Sequence, residues 1–154
     1  MRRREDIETR FTGRHKACIE FLGDVKERVT LDVGCWIGWY ERFMVEKGCN
    51  FIVGMDLSRS ALPEAKKSFS ADRCKFVCAS THNLLFKPGG FDLVSMFDVL
   101  KHLFAGSEFN VLPEANRVLN TNGLLIVSVP NNYFIIKLLD TAYFLHGHRH
   151  YALD

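Results

Sequence analysis

The feature that most constrains the fold is a pair of short apolar runs that carry acids at their ends, with two glycines between them. The first run, Val29–Val33, contains Asp32 and leads into Gly34 and Gly38, and the second ends at Asp56. Glycine lets the backbone turn tightly against a ligand. An acid at the tip of the next strand can accept hydrogen bonds from ribose hydroxyls. The pattern predicts a nucleotide-type cofactor site at the carboxyl edge of a parallel sheet.

The spacing of the glycines separates two classes of cofactor. A dinucleotide fingerprint has the order G-x-G-x-x-G, with the pyrophosphate at a helix N-terminus. Here Gly34 and Gly38 are separated by three residues, and Trp36 stands where a middle glycine would be. Asp32 would repel a pyrophosphate and suits a cofactor with a cationic amino group and no phosphates, such as S-adenosyl-L-methionine. A nicotinamide-binding domain is the weaker interpretation.

Strands and helices alternate along the chain, which predicts an α/β fold with a doubly wound, mostly parallel, Rossmann-like sheet. The predicted strands are Val29–Val33, Phe51–Met55, Lys75–Cys78, Phe91–Ser95 and Gly123–Val129. The predicted helices lie within 5–27, at Trp39–Lys47, from Ser58 through Phe69, at Phe109–Leu119, and from Asn131 or Asn132 to about Leu145.

Five segments carry motifs in a recognisable order: Leu31–Gly38, Val53–Ser58, Phe76–Phe86, Phe91–Leu103 and Arg117–Pro130. Together they resemble the class I S-adenosylmethionine-dependent methyltransferases with a type 11 or type 12 domain. The resemblance runs from about Val29 to Asn131. It implies an enzyme with strand order 3-2-1-4-5, and the ligand crevice of such a sheet lies where that order reverses.

The resemblance also implies an incomplete sheet, because the family usually adds two further strands and this sequence ends about 25 residues after the fifth. We expect a single domain over 1–154, truncated relative to the seven-stranded fold. Its parts are an N-terminal helical segment (1–28), a cofactor-binding core (29–131) and a C-terminal helix and tail (132–154). An unpaired apolar edge on the fifth strand favours pairing with another chain, so we expect either a homodimer through that strand or a partner segment that covers it.

The resemblance assigns a role to each candidate residue of the cofactor site. Asp32 would help to hold the amino group, the loop at Gly34 and Gly38 would pass under the methionine part, and Asp56 would bind the ribose. Ser80 stands where the family often has an aspartate for the adenine amino group. The full set of expected cofactor contacts is Asp32, Gly34, Cys35, Gly38, Asp56, Leu57, Ser80, Thr81, Phe97 and Asp98.

Histidines supply the candidates for proton transfer and metal binding. His102 follows the fourth strand, and its ordinary pKa suits a general base for an acceptor hydroxyl, although a structural histidine is the alternative. His146, His148 and His150 alternate near the end of the sequence. No carboxylate or cysteine joins them locally, so no metal is predicted, and they either border the acceptor site or belong to a loop.

Charge and cysteine content narrow the partners and the compartment. The net charge of +2 gives no reason to expect nucleic-acid binding, and the basic stretch Arg2–Arg4 is interpreted as a solvated helix start. Five cysteines at irregular spacing, with no signal peptide or membrane-spanning segment, favour reduced thiols in the cytoplasm.

The sequence therefore predicts a methyltransferase that acts on an O or N nucleophile of a small-molecule, glycan or lipid-linked acceptor and leaves S-adenosyl-L-homocysteine. The alternative is a non-catalytic module that binds the cofactor or a partner chain. The intact Asp32, Gly34, Gly38 and Asp56 favour the enzyme, and the expected truncation, Trp36 and Ser80 favour the module.

Overall fold

The computed structural model describes residues 11, 13–68, 72–130, 141–146 and 149–152. The described strands form one sheet in the order β3-β2-β1-β4-β5-β6-β7. The predicted order of the first five strands, 3-2-1-4-5, is confirmed, and all four of their pairings are parallel. The fold is the predicted α/β sheet with the ligand crevice between β1 and β4.

Most of the predicted elements match the observed ones within a few residues. The strands are β1 (Val29–Val33), β2 (Phe51–Asp56), β3 (Cys74–Cys78), β4 (Phe91–Phe97), β5 (Leu119–Val129), β6 (Thr141–His146) and β7 (Arg149–Ala152). The described helices are α1 (Gly13–Leu22), α2 (Trp39–Glu46), α3 (Ala61–Ser68) and α4 (Glu108–Val118), with a short 3-10 helix at Leu100–His102.

Local chemistry explains where α2 and α3 begin and end. Gly38 has φ 80° and precedes α2, and Gly48 follows the helix with φ 92°, a backbone region that glycine enters without strain. The Ser58 hydroxyl accepts a hydrogen bond from the Ala61 amide at 3.2 Å, as a capping residue does. Pro63 lies in the first turn of α3, where a missing N–H costs nothing.

The two faces of the sheet bury different sets of side chains. On one face, Leu31 and Val33 of β1 pack with Val111 and Ala115 of α4. Because side chains alternate along a strand, Thr30 and Asp32 point to the opposite face, which α1 and α2 cover. That second face includes Cys18, Tyr40, Met44 and Ile126. A charged group of β1 is thus placed in the core beneath α2.

The expectation of a truncated sheet is wrong. β6 pairs antiparallel with β5, from Leu124 opposite His146 to Val129 opposite Thr141, and β7 pairs antiparallel with β6. The predicted last helix is also wrong over 141–145, where the backbone is a strand, and 131–140 lies outside the described residues. Aromatic and β-branched residues such as Thr141, Tyr143 and Phe144 favour a strand.

The same pairing removes the reason for a dimer through the fifth strand. A single chain supplies the neighbour of β5, so its apolar edge is not open to a second copy. The two cysteines of edge strand β3 differ in exposure, because Cys74 is buried and Cys78 at the end of the strand is exposed. Among the described helices, none has the length and apolar character needed to cross a membrane.

Candidate cofactor site

A pocket of about 610 Å³ opens at the carboxyl ends of β1, β2 and β4. This volume is typical of small-molecule sites. The walls combine two carboxylates, two histidines and several apolar groups. The lining residues are Gly34, Trp36, Met55, Asp56, Leu57, Ala79, Ser80, Thr81, His82, Phe97, Asp98, Val99, His102 and Leu103.

The loop after β1 is held tightly against β2. The amides of Gly34 and Cys35 both donate to the carbonyl oxygen of Met55, at 2.7 and 3.0 Å. Gly34 has φ 84°, and a Cβ atom at this position would come within 2.5 Å of Val99 Cγ2. Glycine is therefore required here both by the backbone conformation and by the close approach of the loop that follows β4.

Asp56 fastens this loop as well as facing the pocket. Its Oδ2 accepts a hydrogen bond from the Trp36 amide at 2.8 Å, and its Oδ1 accepts one from the Ser58 amide at 2.7 Å. Each carboxylate oxygen has two acceptor sites, so both retain capacity for a ligand hydroxyl. Trp36 itself has φ 47°, is 56% exposed and packs edge-on against Trp39.

Asp32 lies behind the loop, in the core. It is 3% exposed, and its Oδ1 accepts a hydrogen bond from the Ser95 hydroxyl at 2.5 Å. Burial raises the pKa of Asp32 to about 7, although the bond from Ser95 and the adjacent Glu41 side chain act in the opposite direction. Burial therefore makes Asp32 easier to protonate than an ordinary surface aspartate.

Asp98 joins the pocket to the N-terminal helix. Arg14 Nη2 donates to both of its carboxylate oxygens, at 2.6 and 2.5 Å, His15 Nε2 lies 3.1 Å away, and Lys101 Nζ lies 3.5 Å away. Partial burial raises the pKa of Asp98, but the hydrogen bonds and charge of Arg14, with His15 and Lys101, outweigh it and hold the pKa below 3.8. Asp98 is thus an ionised anchor for α1.

The rest of the wall is a mixture of apolar and protonatable groups. Met55 and Ala79 are buried beneath the pocket, and Leu57 is 71% exposed at its rim. His82 and His102 are exposed and lie on loops after β3 and β4. Ser80 Oγ accepts from the His82 amide at 3.3 Å. A ligand with an apolar ring and polar edges would find both kinds of partner here.

The comparison with protein-family models decides the family. The model described as "Methyltransferase domain" matches residues 31–127, which run from within β1 to within β5 and include the whole pocket wall. The chain belongs to the S-adenosylmethionine-dependent methyltransferases. Its cofactor is S-adenosyl-L-methionine.

Two relatives with similar sequences support the assignment to the methyltransferases. A malonyl-[acyl-carrier protein] O-methyltransferase from Hamiltonella defensa is 29% identical over 110 residues, covering 71% of this chain and 41% of that protein. A probable S-adenosylmethionine-dependent methyltransferase from Mycobacterium tuberculosis is 28% identical over 127 residues, covering 82% and 44%. The chain therefore spans less than half the length of these relatives.

Solved structures share the methyltransferase fold. An S-adenosylmethionine-dependent methyltransferase from Mesorhizobium loti superposes with a TM-score of 0.72 at 22% identity, covering 78% of this chain and 55% of that one. Phosphoethanolamine N-methyltransferase 1 of Haemonchus contortus, solved with phosphoethanolamine and S-adenosylhomocysteine, gives a TM-score of 0.73 at 17% identity, covering 84% and 27%.

The residues of this methyltransferase fit its cofactor. Gly34 contributes backbone without a side chain to the pocket wall, Asp56 offers further acceptor sites there, and Met55, Leu57 and Ala79 supply apolar surface for a base. No phosphate-binding cation is needed by such a ligand. In the described part of the chain, no group of three histidine, cysteine or acidic residues is arranged to hold a metal ion.

The structure brings together most of the site residues expected from the sequence. The expected residues on the pocket wall are Gly34, Asp56, Leu57, Ser80, Thr81, Phe97, Asp98 and His102. Asp32, Cys35 and Gly38 are buried and do not line it. The individual roles of all these residues in the methyltransferase stay predictions.

Sequence reasoning missed Arg14, His15 and Glu41. Arg14 and Asp98 are 84 residues apart, and nothing local in the sequence indicates their pairing. Glu41 is a buried acid in a helix whose pattern predicted only an amphipathic face. Arg2–Arg4 and the side chains of His146, His148 and His150 lie outside the described residues.

Proposed function

We propose that this protein transfers a methyl group from S-adenosyl-L-methionine to an O or N nucleophile of a small-molecule, glycan or lipid-linked acceptor. The observation that supports it best is that Asp56, the Gly34 loop, Asp98 and His102 share one pocket at the point where the strand order reverses. When bound, the cofactor supplies a methyl group already activated by its positive sulfur. The protein's main contribution is then alignment and exclusion of water.

Each wall of the pocket has a part in this proposal. Asp56 holds the ribose hydroxyls through its remaining acceptor sites, and the loop at Gly34 passes beneath the methionine part of the cofactor. Ser80 and Thr81 lie at the adenine end. Phe97 and Asp98 close the opposite end, where Arg14 keeps α1 against the pocket mouth. The acceptor enters on the side of His102 and Leu103.

His102 is the proposed general base. It is exposed on the short helix after β4 and lies on the same pocket as Asp98. A neutral imidazole at this place takes the proton that an acceptor hydroxyl loses as it is methylated. The similarity to an O-methyltransferase from Hamiltonella defensa supports an oxygen nucleophile.

The alternative, a non-catalytic module that binds the cofactor or a partner, has lost one of its supports. It depended partly on an incomplete sheet, and β6 and β7 now follow β5. Trp36 and Ser80 remain in its favour, although Trp36 is 56% exposed at the pocket rim.

Free thiols on all five cysteines support a reducing compartment, for which we propose the cytoplasm.

A labelling experiment tests the proposal. The protein is incubated with methyl-labelled S-adenosyl-L-methionine and fractionated cell extracts containing small molecules, lipids, glycans, RNA or protein. We expect label in one of the first three fractions and S-adenosyl-L-homocysteine in equal amount. Label only in RNA or protein contradicts the acceptor class, and cofactor binding without transfer to any fraction favours the non-catalytic module.

Two variants distinguish a defect in cofactor binding from a defect in methyl transfer. Asp56→Asn loses label transfer because it binds the cofactor weakly, whereas His102→Gln keeps cofactor binding and loses transfer. Lys101→Gln, which changes the neighbouring residue and removes one contact to Asp98, is the matched control and retains most of the transfer. Unchanged transfer by His102→Gln at all pH values would remove the proposed base.

A further inference from the structure

Large apolar side chains are exposed around the mouth of the pocket. Five of them lie on the loops that follow β1, β2 and β4 or in the first turns of α2 and α4, and each is at least 42% exposed. In the described part of the chain, only Phe21 and Leu85 are other large apolar side chains with comparable exposure. We call the five residues the apolar rim: Trp36, Trp39, Leu57, Phe104 and Phe109.

The opposite end of the sheet shows that such exposure is not general among the loops of this protein. The segments that precede β1 to β4 are 23–28, 47–50, 72–73 and 87–90. Apart from glycines, their exposed residues are charged ones, Asn50 and Pro88, and none of these four segments exposes a large apolar side chain. Single apolar residues on a surface are common, whereas a group of them around a cavity marks a site of interaction.

The apolar rim is continuous with the wall of the pocket. Trp36 and Leu57 line the pocket themselves, and Leu103, which lines it on the loop after β4, is followed directly by Phe104. Trp36 and Trp39 pack edge to face with their ring centroids 5.5 Å apart, so the two rings form one surface. An apolar chain that leaves the pocket would therefore meet apolar side chains on both sides of the opening.

The composition of the rim suits a boundary between lipid and water. Both tryptophans of the chain, Trp36 and Trp39, belong to the rim. An indole ring combines a large apolar body with an N–H group that stays hydrated, and tryptophan is accordingly enriched at membrane surfaces. Phenylalanine and leucine are the other side chains that surface-bound proteins insert below the headgroups.

The charges beside the rim favour an anionic surface. Arg59 lies two residues after Leu57, and Lys101 lies three residues before Phe104, and both are exposed. The acids of the loop after β4 are engaged within the protein, because Asp98 accepts bonds from Arg14 and Glu108 accepts the Gly106 amide. Cations next to an apolar patch are attracted to anionic headgroups while the patch enters the lipid.

We propose that the apolar rim docks on a lipid surface with anionic headgroups, and that the acceptor is a lipid-linked molecule whose polar end enters the pocket from that surface. The second half of this statement rests on the methyl transfer proposed above, whereas the docking does not. The rim inserts shallowly, and the pocket mouth faces the headgroups. The surface thus delivers the acceptor and also helps to exclude water from the opening.

Vesicle binding tests the docking without turnover. The intact protein is sedimented with vesicles of phosphatidylcholine alone, or of phosphatidylcholine and phosphatidylglycerol in equal amounts. We expect binding to both, tighter on the anionic vesicles, with salt removing only the difference because apolar groups carry the rest. Tryptophan emission should shift to shorter wavelength as the indoles leave water. Binding confined to anionic vesicles and abolished by salt, as the basic stretch Arg2–Arg4 alone would give, overturns the proposal.

A double variant tests whether the rim makes this contact. Phe104→Ser combined with Phe109→Ser should lower the affinity for neutral vesicles roughly tenfold or more, because two exposed rings no longer enter the lipid. Neither residue lines the pocket, so calorimetry should give an unchanged affinity for S-adenosyl-L-homocysteine and show that the fold is retained. Phe21→Ser removes an exposed ring outside the rim and is the matched control. An equal loss of vesicle binding in Phe21→Ser overturns the assignment to the rim.

Other occupants of the rim and a failure of the methyl transfer give different results. A dimer in lipid-free solution that the double variant dissociates, measured by light scattering, would make a second copy the occupant and overturn the proposal. Label transfer to a water-soluble acceptor without vesicle binding overturns it too, and leaves the methyl transfer intact. Vesicle binding through the rim without label in any fraction supports the docking and contradicts the methyl transfer.

Discussion

The Trp36 amide and the Asp56 carboxylate, 20 residues apart in the chain, are joined by a hydrogen bond of 2.8 Å. The loop after β1 is thereby tied to the end of β2 by the same acid that is proposed to hold the ribose. Trp36 has a positive φ, and the bond helps to keep the loop in that conformation. The side chain that orders the loop is therefore also the one proposed to set the affinity for the cofactor.

Replacing Asp56 with alanine should weaken S-adenosyl-L-homocysteine binding at least tenfold, because bonds to a charged acceptor contribute roughly 1.5–3 kcal/mol each. Calorimetry measures the affinity, and circular dichroism checks that the fold is retained. Asp24→Ala removes an exposed aspartate that also accepts a backbone amide bond, and should leave the affinity unchanged. Equal affinity of Asp56→Ala and the parent would contradict the ribose assignment.

Gly34→Ala should destabilise the protein more than Gly89→Ala does. Both glycines have positive φ, which costs an L-residue about 1–2 kcal/mol. Only Gly34 would also bring a Cβ against Val99, whereas nothing lies within 4 Å at Gly89. Urea unfolding gives the two free energies. Val99→Ala in the Gly34→Ala background should recover part of the loss, and no recovery would show that the clash is not the cause.

Asp98→Asn should remove a pH-dependent part of the stability. The folded pKa of Asp98 lies below 3.8 because of Arg14, so its carboxylate stabilises the fold above that value, and the contribution is lost as pH falls through the folded pKa. The stability difference between the parent and Asp98→Asn should therefore be largest near neutral pH and shrink towards about pH 3. Urea unfolding across this range measures it. A difference that stays constant across this range would argue against the ion pair.

Arg117→Ala should loosen the loop that carries Thr81 and His82. Arg117 donates to the carbonyl oxygens of Leu84 and Phe86 at 2.7 and 2.9 Å, and it also pairs with Glu114, which accepts the Leu84 amide at 2.9 Å. Hydrogen exchange of the Leu84 amide should accelerate roughly tenfold or more. Arg42→Ala breaks an exposed pair within α2 and serves as the control. Unchanged exchange would show that other contacts hold this loop.

The first strands and the loops at their ends could be predicted because short sequence patterns determine them. Val29–Val33 and Phe51–Asp56 are apolar runs that end in acids and glycines, and parallel strands place their carboxyl ends at one edge. Gly34, Asp56 and His102 therefore reach one pocket. The family order of strands then predicted which loops become neighbours.

What the sequence could not predict are contacts that only the packed fold creates. The Glu41 carboxyl fits because Gly54, on another element, leaves room for it. Arg14 reaches Asp98 because α1 lies across the sheet end, and the intervening 84 residues give no sign of it. At the C-terminus, the apolar stretch that includes Tyr143 and Phe144 suits either a helix or a strand in isolation.

The position of β6 has a consequence for how the protein is made. β5 is a central strand in the finished sheet, but its second neighbour is supplied by residues 141–146, later in the chain. β5 therefore has one apolar edge unpaired until residues 141–146 join the sheet. Such edges attract other chains. A shortened chain that ends between positions 130 and 141 would thus keep every residue that lines the pocket, but it would leave this edge of β5 open to pairing with other chains.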